Sequence, residues 1–136
     1  MNAIFADTSY FVALLDRDDD FHAAASAFSA GMPRPMLVTS AIIQELGAAF
    51  SGVAYRGLLR VVLEIVRAAE AEMVHVDATL QQRAIELFEK RRDKQWSLAD
   101  CISFLVMRDR GVYEAATTDH HFEEAGFIAL LRNPVQ

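Results

Sequence analysis

Several things are scarce in this 136-residue chain, and each scarcity excludes something. There is one cysteine, Cys101, so no disulfide can close within the chain. Its apolar neighbours Ile102, Phe104 and Leu105 predict a buried, unreactive thiol. No set of cysteines and histidines has the spacing of a structural zinc site. Three prolines and six glycines are spread thinly, with no Gly/Ser/Pro tract, repeat or low-complexity stretch to serve as a linker. The apolar runs fall far short of the roughly 18 residues a membrane helix needs, and Asp7 interrupts the N-terminus before a signal-peptide core could form. The expected location is therefore cytoplasmic, with no membrane association. Cations are also short: 13 Lys and Arg face 19 Asp and Glu, a net charge of −6. That balance argues against holding nucleic acid by bulk electrostatics, but not against a protein that recruits bound cations.

The remainder is globular, 53% hydrophobic and 24% charged. A chain of this length is expected to form one domain, 1–136, burying roughly two thirds of its unfolded surface. The run 3–6 reads as a buried strand, followed at once by a helical pattern from Tyr10. The acidic run from Asp16 to Asp20 reads as a solvated loop, its last Asp capping a helix over 21–30 that carries His22 as a structural residue. Gly31, Pro33 and Pro35 break the chain before a strand over 36–39, and Ser40 is read as the cap of a helix over 41–50. A longer helix over 55–72 turns Leu58, Leu59, Val62, Leu63 and Val66 inward, leaving Arg56, Arg60 and Arg67 as surface residues. A third strand over 73–76, in which His75 alternates with valines as a structural residue, leads through Asp77 as cap to a helix over 79–92. After the basic segment Lys90 to Lys94 comes an apolar helix from Ser97 through Met107, ended by Gly111. A fourth strand within 112–118, a short helix over 120–125, Gly126, a last strand over 127–131 and a tail with Pro134 complete the order. Five strands alternating with helices predict an α/β fold with a mostly parallel sheet.

Four acids occupy strand ends or helical turns in this scheme. Asp7 ends the first strand and is followed by Thr8 and Ser9; in open α/β sheets ligands gather beyond such strand ends, although an Asp there also caps helices. Glu45 sits among Ala41, Ala48 and Ala49, which leave room for an approaching group, although an exposed Glu is also a good helix former. Ser97 and Asp100 have capping-box spacing, yet the helix is apolar nearly all round, so Asp100 needs compensation from a metal ion or a cation such as Arg108. Asp119 follows the strand residues Ala115, Ala116, Thr117 and Thr118, repeating the pattern at Asp7. Clustered carboxylates without balancing cations repel, and oxygen-only donors favour Mg²⁺ or Mn²⁺. Such ions activate water and stabilise the leaving oxygen in phosphodiester hydrolysis. His120 and His121 are adjacent and expected to project in different directions, which makes them poor metal ligands beside hard carboxylate oxygens.

These residues resemble the PIN domain nucleases, and most closely the small toxins of the VapC type. The likeness is carried by Asp7-Thr8-Ser9, Ser40 with Glu45, Ser97-Leu98-Ala99-Asp100 with Ser103-Phe104, and Thr117-x-Asp119-x-x-Phe122 with Gly126-Phe127. Asp18 or Asp19 followed by His22-Ala23-Ala24 matches the loop after the family's first helix. The resemblance implies a three-layer sandwich with a five-stranded sheet and about seven helices. It implies Mg²⁺ or Mn²⁺ held by Asp7, Asp100 and Asp119, with Glu45 as a further ligand or the group that orients the attacking water. Thr8, Ser9, Thr117 and Thr118 would support the metal's waters or the phosphate. The implied activity is endonucleolytic cleavage of RNA to a 5′-phosphate and a 3′-hydroxyl. The implied partners are RNA, an antitoxin protein and a second copy of the chain in a homodimer, with Lys90 to Lys94 as the available phosphate grip. Three alternatives stand beside it: a non-catalytic interaction domain of the same fold, a housekeeping nuclease outside any toxin–antitoxin pair, and a phosphatase using Asp7 as nucleophile. The last is disfavoured because Ser9 stands where its commonest chemistry wants a second acid.

Overall fold

A computed structural model describes residues 2–31 and 34–132. Twelve elements run β1 (Ile4–Ala6), α1 (Thr8–Leu15), α2 (His22–Ala30), β2 (Met36–Thr39), α3 (Ser40–Ala49), α4 (Gly57–Ala68), β3 (Glu72–Val74), α5 (Ala78–Lys90), α6 (Leu98–Arg110), β4 (Glu114–Ala116), α7 (His120–Glu124) and β5 (Ile128–Ala129). The breaker Pro33 and the tail residue Pro134 lie outside the described residues.

The strands form one sheet in the order β3-β2-β1-β4-β5, and every pairing is parallel. β1 is central because it can be: Ile4, Phe5 and Ala6 are almost wholly buried and carry no polar side chain. The chain builds outward from β1 to β3, then crosses back to place β4 on its other side. With right-handed crossovers, that reversal sets the two groups of helices on opposite faces of the sheet, and it opens a crevice beyond the carboxyl ends of β1 and β4.

An aromatic cluster supports the β4 side of that crevice. Phe104 of α6 meets Phe122 of α7 edge-on at 5.1 Å and Trp96 at 5.0 Å, and Phe122 also reaches Phe5 at 6.1 Å. Phe5, Phe104 and Phe122 are fully buried, each contributing about 1.5–3 kcal/mol by leaving water. Phe122 thereby pins the five-residue α7, which is too short to hold its own shape.

Several details depart from expectation. Thr39, not Ser40, caps α3: its hydroxyl accepts from Ile42 N, while Ser40 Oγ accepts from Val76 N across to the neighbouring connection. Asp20 does not cap α2; Asp19 Oδ1 accepts from Phe21 N instead. The fourth helix is shorter than its periodicity, Gly57–Ala68, because Glu70 takes a left-handed φ of 51° and Glu72 already belongs to β3. His75 lies past the end of β3 and is exposed, so it is not a strand residue. Ala48 and Ala49 are exposed, as the open surroundings read for Glu45 require, while Ile42, Leu46 and Phe50 are buried. Cys101 is buried as expected, and burial pushes its thiol up to about 11.

Candidate active site

Asp7 stands where β1 hands over to α1, with its backbone N–H on Ala116 O of β4 at 3.1 Å. It occupies the N-cap position of α1, but its side chain caps nothing. Its Oδ2 instead accepts hydrogen bonds from Thr117 Oγ1 at 2.7 Å and Ser9 Oγ at 2.8 Å. Each hydroxyl has one hydrogen, so with both aimed at Asp7 the 3.1 Å approach of Ser9 to Thr117 is a close contact rather than a third bond. The two hydroxyls also accept, Thr117 from Asp119 N at 3.0 Å and Ser9 from Thr118 N at 2.9 Å. Two strand ends more than a hundred residues apart are thus tied into one polar knot. Asp7 is 6% exposed, and burial raises its pKa to about 6. The hydroxyls of Thr117 and Ser9 oppose that rise, while the negative charges of Asp100 and Glu45 add to it.

Glu45 projects from α3 toward the same end of the sheet, and Thr8 Oγ1 donates to its Oε1 at 2.7 Å. Asp100 does form the capping box: its N–H donates to Ser97 Oγ and its Oδ2 accepts from Ser97 N, both at 3.0 Å. It is nevertheless mostly buried, and desolvation raises its pKa, with the charge of Asp119 acting in the same direction. Arg108 does not compensate it, being exposed with its guanidinium over the Phe127 ring. The Ser97 N–H opposes that rise most, followed by His121, whose Nδ1 lies 3.1 Å from Asp100 Oδ2. Asp119 caps α7, its Oδ1 accepting from His121 N at 2.9 Å.

The four acids share one feature. Among the described residues, each spends a single oxygen on hydrogen bonds to the protein: Oδ2 of Asp7, Oε1 of Glu45, Oδ2 of Asp100 and Oδ1 of Asp119. The second oxygen of each makes no such bond. Carboxylate oxygens are the donor type that a Mg²⁺- or Mn²⁺-class ion takes. A cleft of roughly 450 Å³ between α3 and α6, walled by Gln44, Glu45, Leu98 and Ala99, opens beside them.

Two residues at this end of the sheet were not among the predicted site. His121 was expected to diverge from His120, yet the two rings lie 4.4 Å apart and His121 reaches Asp100, 21 residues earlier. Arg132 donates to Thr118 O at 3.4 Å and to Glu123 Oε1, placing a guanidinium beside the strand end that leads to Asp119. Its position after the last strand was the available signal. The basic segment is partly committed: Arg91 pairs with Asp93 at 3.0 Å and stacks over Trp96. Ser103 is buried in α6, where it donates to Ala99 O, and takes no part in the site.

An open parallel sheet whose reversal point is lined by carboxylates defines an α/β protein with an acidic, metal-compatible crevice. Residues 4–128 match the PIN domain model, and the chain belongs to the PIN domain family. It is 27% identical to the 23S rRNA-specific endonuclease VapC20 in two strains of Mycobacterium tuberculosis, over 93% of this chain and 97% of the relative. The crystal structure of VapC20 from that organism, described as a sarcin-ricin loop cleaving toxin, superposes with a TM-score of 0.83. In that comparison 92% of this chain and 96% of the other are covered, at 26% identity.

Proposed function

We propose that this chain is a metal-dependent endoribonuclease and the toxin of a toxin–antitoxin pair, with Asp7, Glu45, Asp100 and Asp119 as its catalytic and metal-holding acids. The observation that carries this reading is the shared geometry of the four carboxylates, one oxygen anchored and one available. A Mg²⁺ or Mn²⁺ ion bound there would polarise the scissile phosphate and lower the pKa of an attacking water. Asp7, at the centre, is held in a single rotamer by Thr117 and Ser9, so its open oxygen is aimed before any ligand arrives. Asp100 and Asp119 are fixed by their capping bonds and by His121. Glu45, oriented by Thr8, accepts the proton of the attacking water. The water oxygen bonds to phosphorus, the P–O3′ bond breaks, and the 3′-oxygen takes a proton from solvent, leaving a 5′-phosphate and a 3′-hydroxyl. Thr118, half-buried at the rim, supports the phosphate side.

The VapC20 names make a ribosomal RNA loop the first substrate to try. A single domain, a homodimer, a cytoplasmic location and a protein antitoxin as partner belong to the same proposal; no helix among the described residues is long and apolar enough to cross a membrane. The test incubates purified protein with ribosomes and with a structured RNA pool, in Mn²⁺ or Mg²⁺ against EDTA, with Asp7→Asn alongside. Metal-dependent cuts bearing 5′-phosphates, absent in the variant, are expected. Cleavage that persists in EDTA or in Asp7→Asn would overturn the mechanism; no cleavage of either substrate by the metal-loaded protein would overturn the nuclease reading.

A further inference from the structure

Beside the oxygen-only acids lies a second donor set of different chemistry. One ligand atom each from Asp119, His120 and His121 fall within 4.8 Å of one another. The His121 Nδ1 to Asp119 Oδ1 separation is 3.4 Å and that of His120 Nδ1 to the same oxygen is 3.7 Å. A tetrahedral ion with bonds of about 2.0–2.1 Å holds neighbouring donors roughly 3.3 Å apart; the two edges to Asp119 are within a few tenths of an ångström of that, and the third, between the histidines, is under 4.8 Å. Asp100 Oδ2, at 3.1 Å from His121 Nδ1, borders the set as a further oxygen.

The hydrogen bond to Asp100 accounts for His121 without any ligand. It does not account for His120. That side chain is 60% exposed, lies too far from Asp119 for a good hydrogen bond, and still turns its ring to within 4.4 Å of the His121 ring at an interplanar angle of 53°. Two imidazoles and a carboxylate form a nitrogen-rich set, which suits zinc-class ions, whereas the oxygen donors of Asp7 and Glu45 suit Mg²⁺ or Mn²⁺.

We propose that Asp119, His120 and His121 form a binding site for a zinc-class ion that takes Asp119 Oδ1 while the other oxygen faces the oxygen-only site, so that the charge of a bound zinc-class ion weakens the second cation's hold on Asp119 and switches the nuclease off. The binding half stands on the donor geometry alone; the inhibitory half rests on the nuclease reading above. The two sites are then antagonists for one carboxylate, with the identity of the available ion deciding between them.

The test titrates Zn²⁺ into the full chain in excess Mg²⁺ by calorimetry, with Co²⁺ as a spectroscopic probe, for wild type, His120→Ala and Asp7→Asn. Wild type is expected to bind one Zn²⁺ and to give the intense visible Co²⁺ absorption of a four-coordinate, nitrogen-containing site. His120→Ala, at an exposed position that folding does not depend on, should weaken Zn²⁺ at least tenfold and lose the band, while Asp7→Asn keeps both. Zn²⁺ affinity unchanged in His120→Ala, lost in Asp7→Asn, or absent in excess Mg²⁺ would overturn the site. In RNA cleavage, Zn²⁺ should inhibit wild type at concentrations that spare His120→Ala; equal inhibition of both would overturn the switch. Zn²⁺ binding without any RNA cleavage would instead overturn the nuclease reading and leave the metal site standing.

Discussion

Thr117, the residue that follows β4, donates its hydroxyl hydrogen to Asp7 at the end of β1 across 2.7 Å, and the same oxygen accepts from the backbone of Asp119. One buried hydroxyl therefore sets the positions of two of the four acids. Thr117→Val keeps the shape and removes the hydroxyl, stranding a buried N–H and depriving Asp7 of a donor. A loss of about 2 kcal/mol in urea unfolding is expected, with weaker Mn²⁺ binding, while Thr117→Ser retains most of both.

The raised pKa of Asp7 gives stability a pH dependence of defined sign. Its folded value of about 6 lies above the ordinary 3.8, so the folded, metal-free chain binds the proton more tightly than the unfolded one. Stability in EDTA should fall as pH rises from about 4 to about 6 and level off above, by at most about 3 kcal/mol from this group. Urea midpoints across that range for wild type against Asp7→Asn isolate the contribution, because the variant should lack it.

The same proton competes with metal. Protonation of Asp7 near pH 6 removes a candidate ligand's charge, so Mn²⁺ affinity measured by calorimetry should be weaker at pH 5 than at pH 7.5. An affinity independent of pH would place the ion elsewhere.

Asp100 is both cap and candidate ligand, and one substitution separates the roles. In Asp100→Asn the amide oxygen can still accept from Ser97 N, and a partly desolvated charge is removed. Metal-free melting temperature is therefore expected to hold or rise, while the gain conferred by Mn²⁺ on wild type disappears. A drop without metal and an intact Mn²⁺ gain would leave Asp100 as a cap alone.

Gly111 closes α6 in the left-handed conformation, φ 65°, with its N–H on Arg108 O. Nothing crowds its Cα, so Gly111→Ala reports backbone strain alone and should cost about 1 kcal/mol in chemical unfolding without altering metal affinity.

Features confined to short stretches were legible in the sequence. The apolar run before Asp7, the Ser97–Asp100 box and the hydroxyl-then-acid pattern at Thr117 to Asp119 each need only local periodicity and capping rules, and all three occur in the structure. Choices settled by distant partners were not legible. By local rules Ser40 is the better cap and Thr39 the lesser one, and the outcome turned on Val76 claiming the Ser40 hydroxyl. Asp7 left its capping role because Thr117 and Ser9 claimed its oxygen, and His121 turned toward Asp100 because α6 and α7 share the Phe104–Phe122 contact. Pattern locates a carboxylate on its element; only packing decides which neighbour it faces.

The knot between β1 and β4 also sets how much of the chain must be made before the proposed site can assemble. A growing chain that has emerged through α6 already carries Asp7, Glu45 and Asp100, but it lacks the strand that clamps Asp7 and the loop that supplies Asp119. Without β4, β1 would be the edge strand of an incomplete sheet. On the nuclease reading proposed above, a chain truncated before β4 should therefore cut nothing, and activity should arise only once β4 docks.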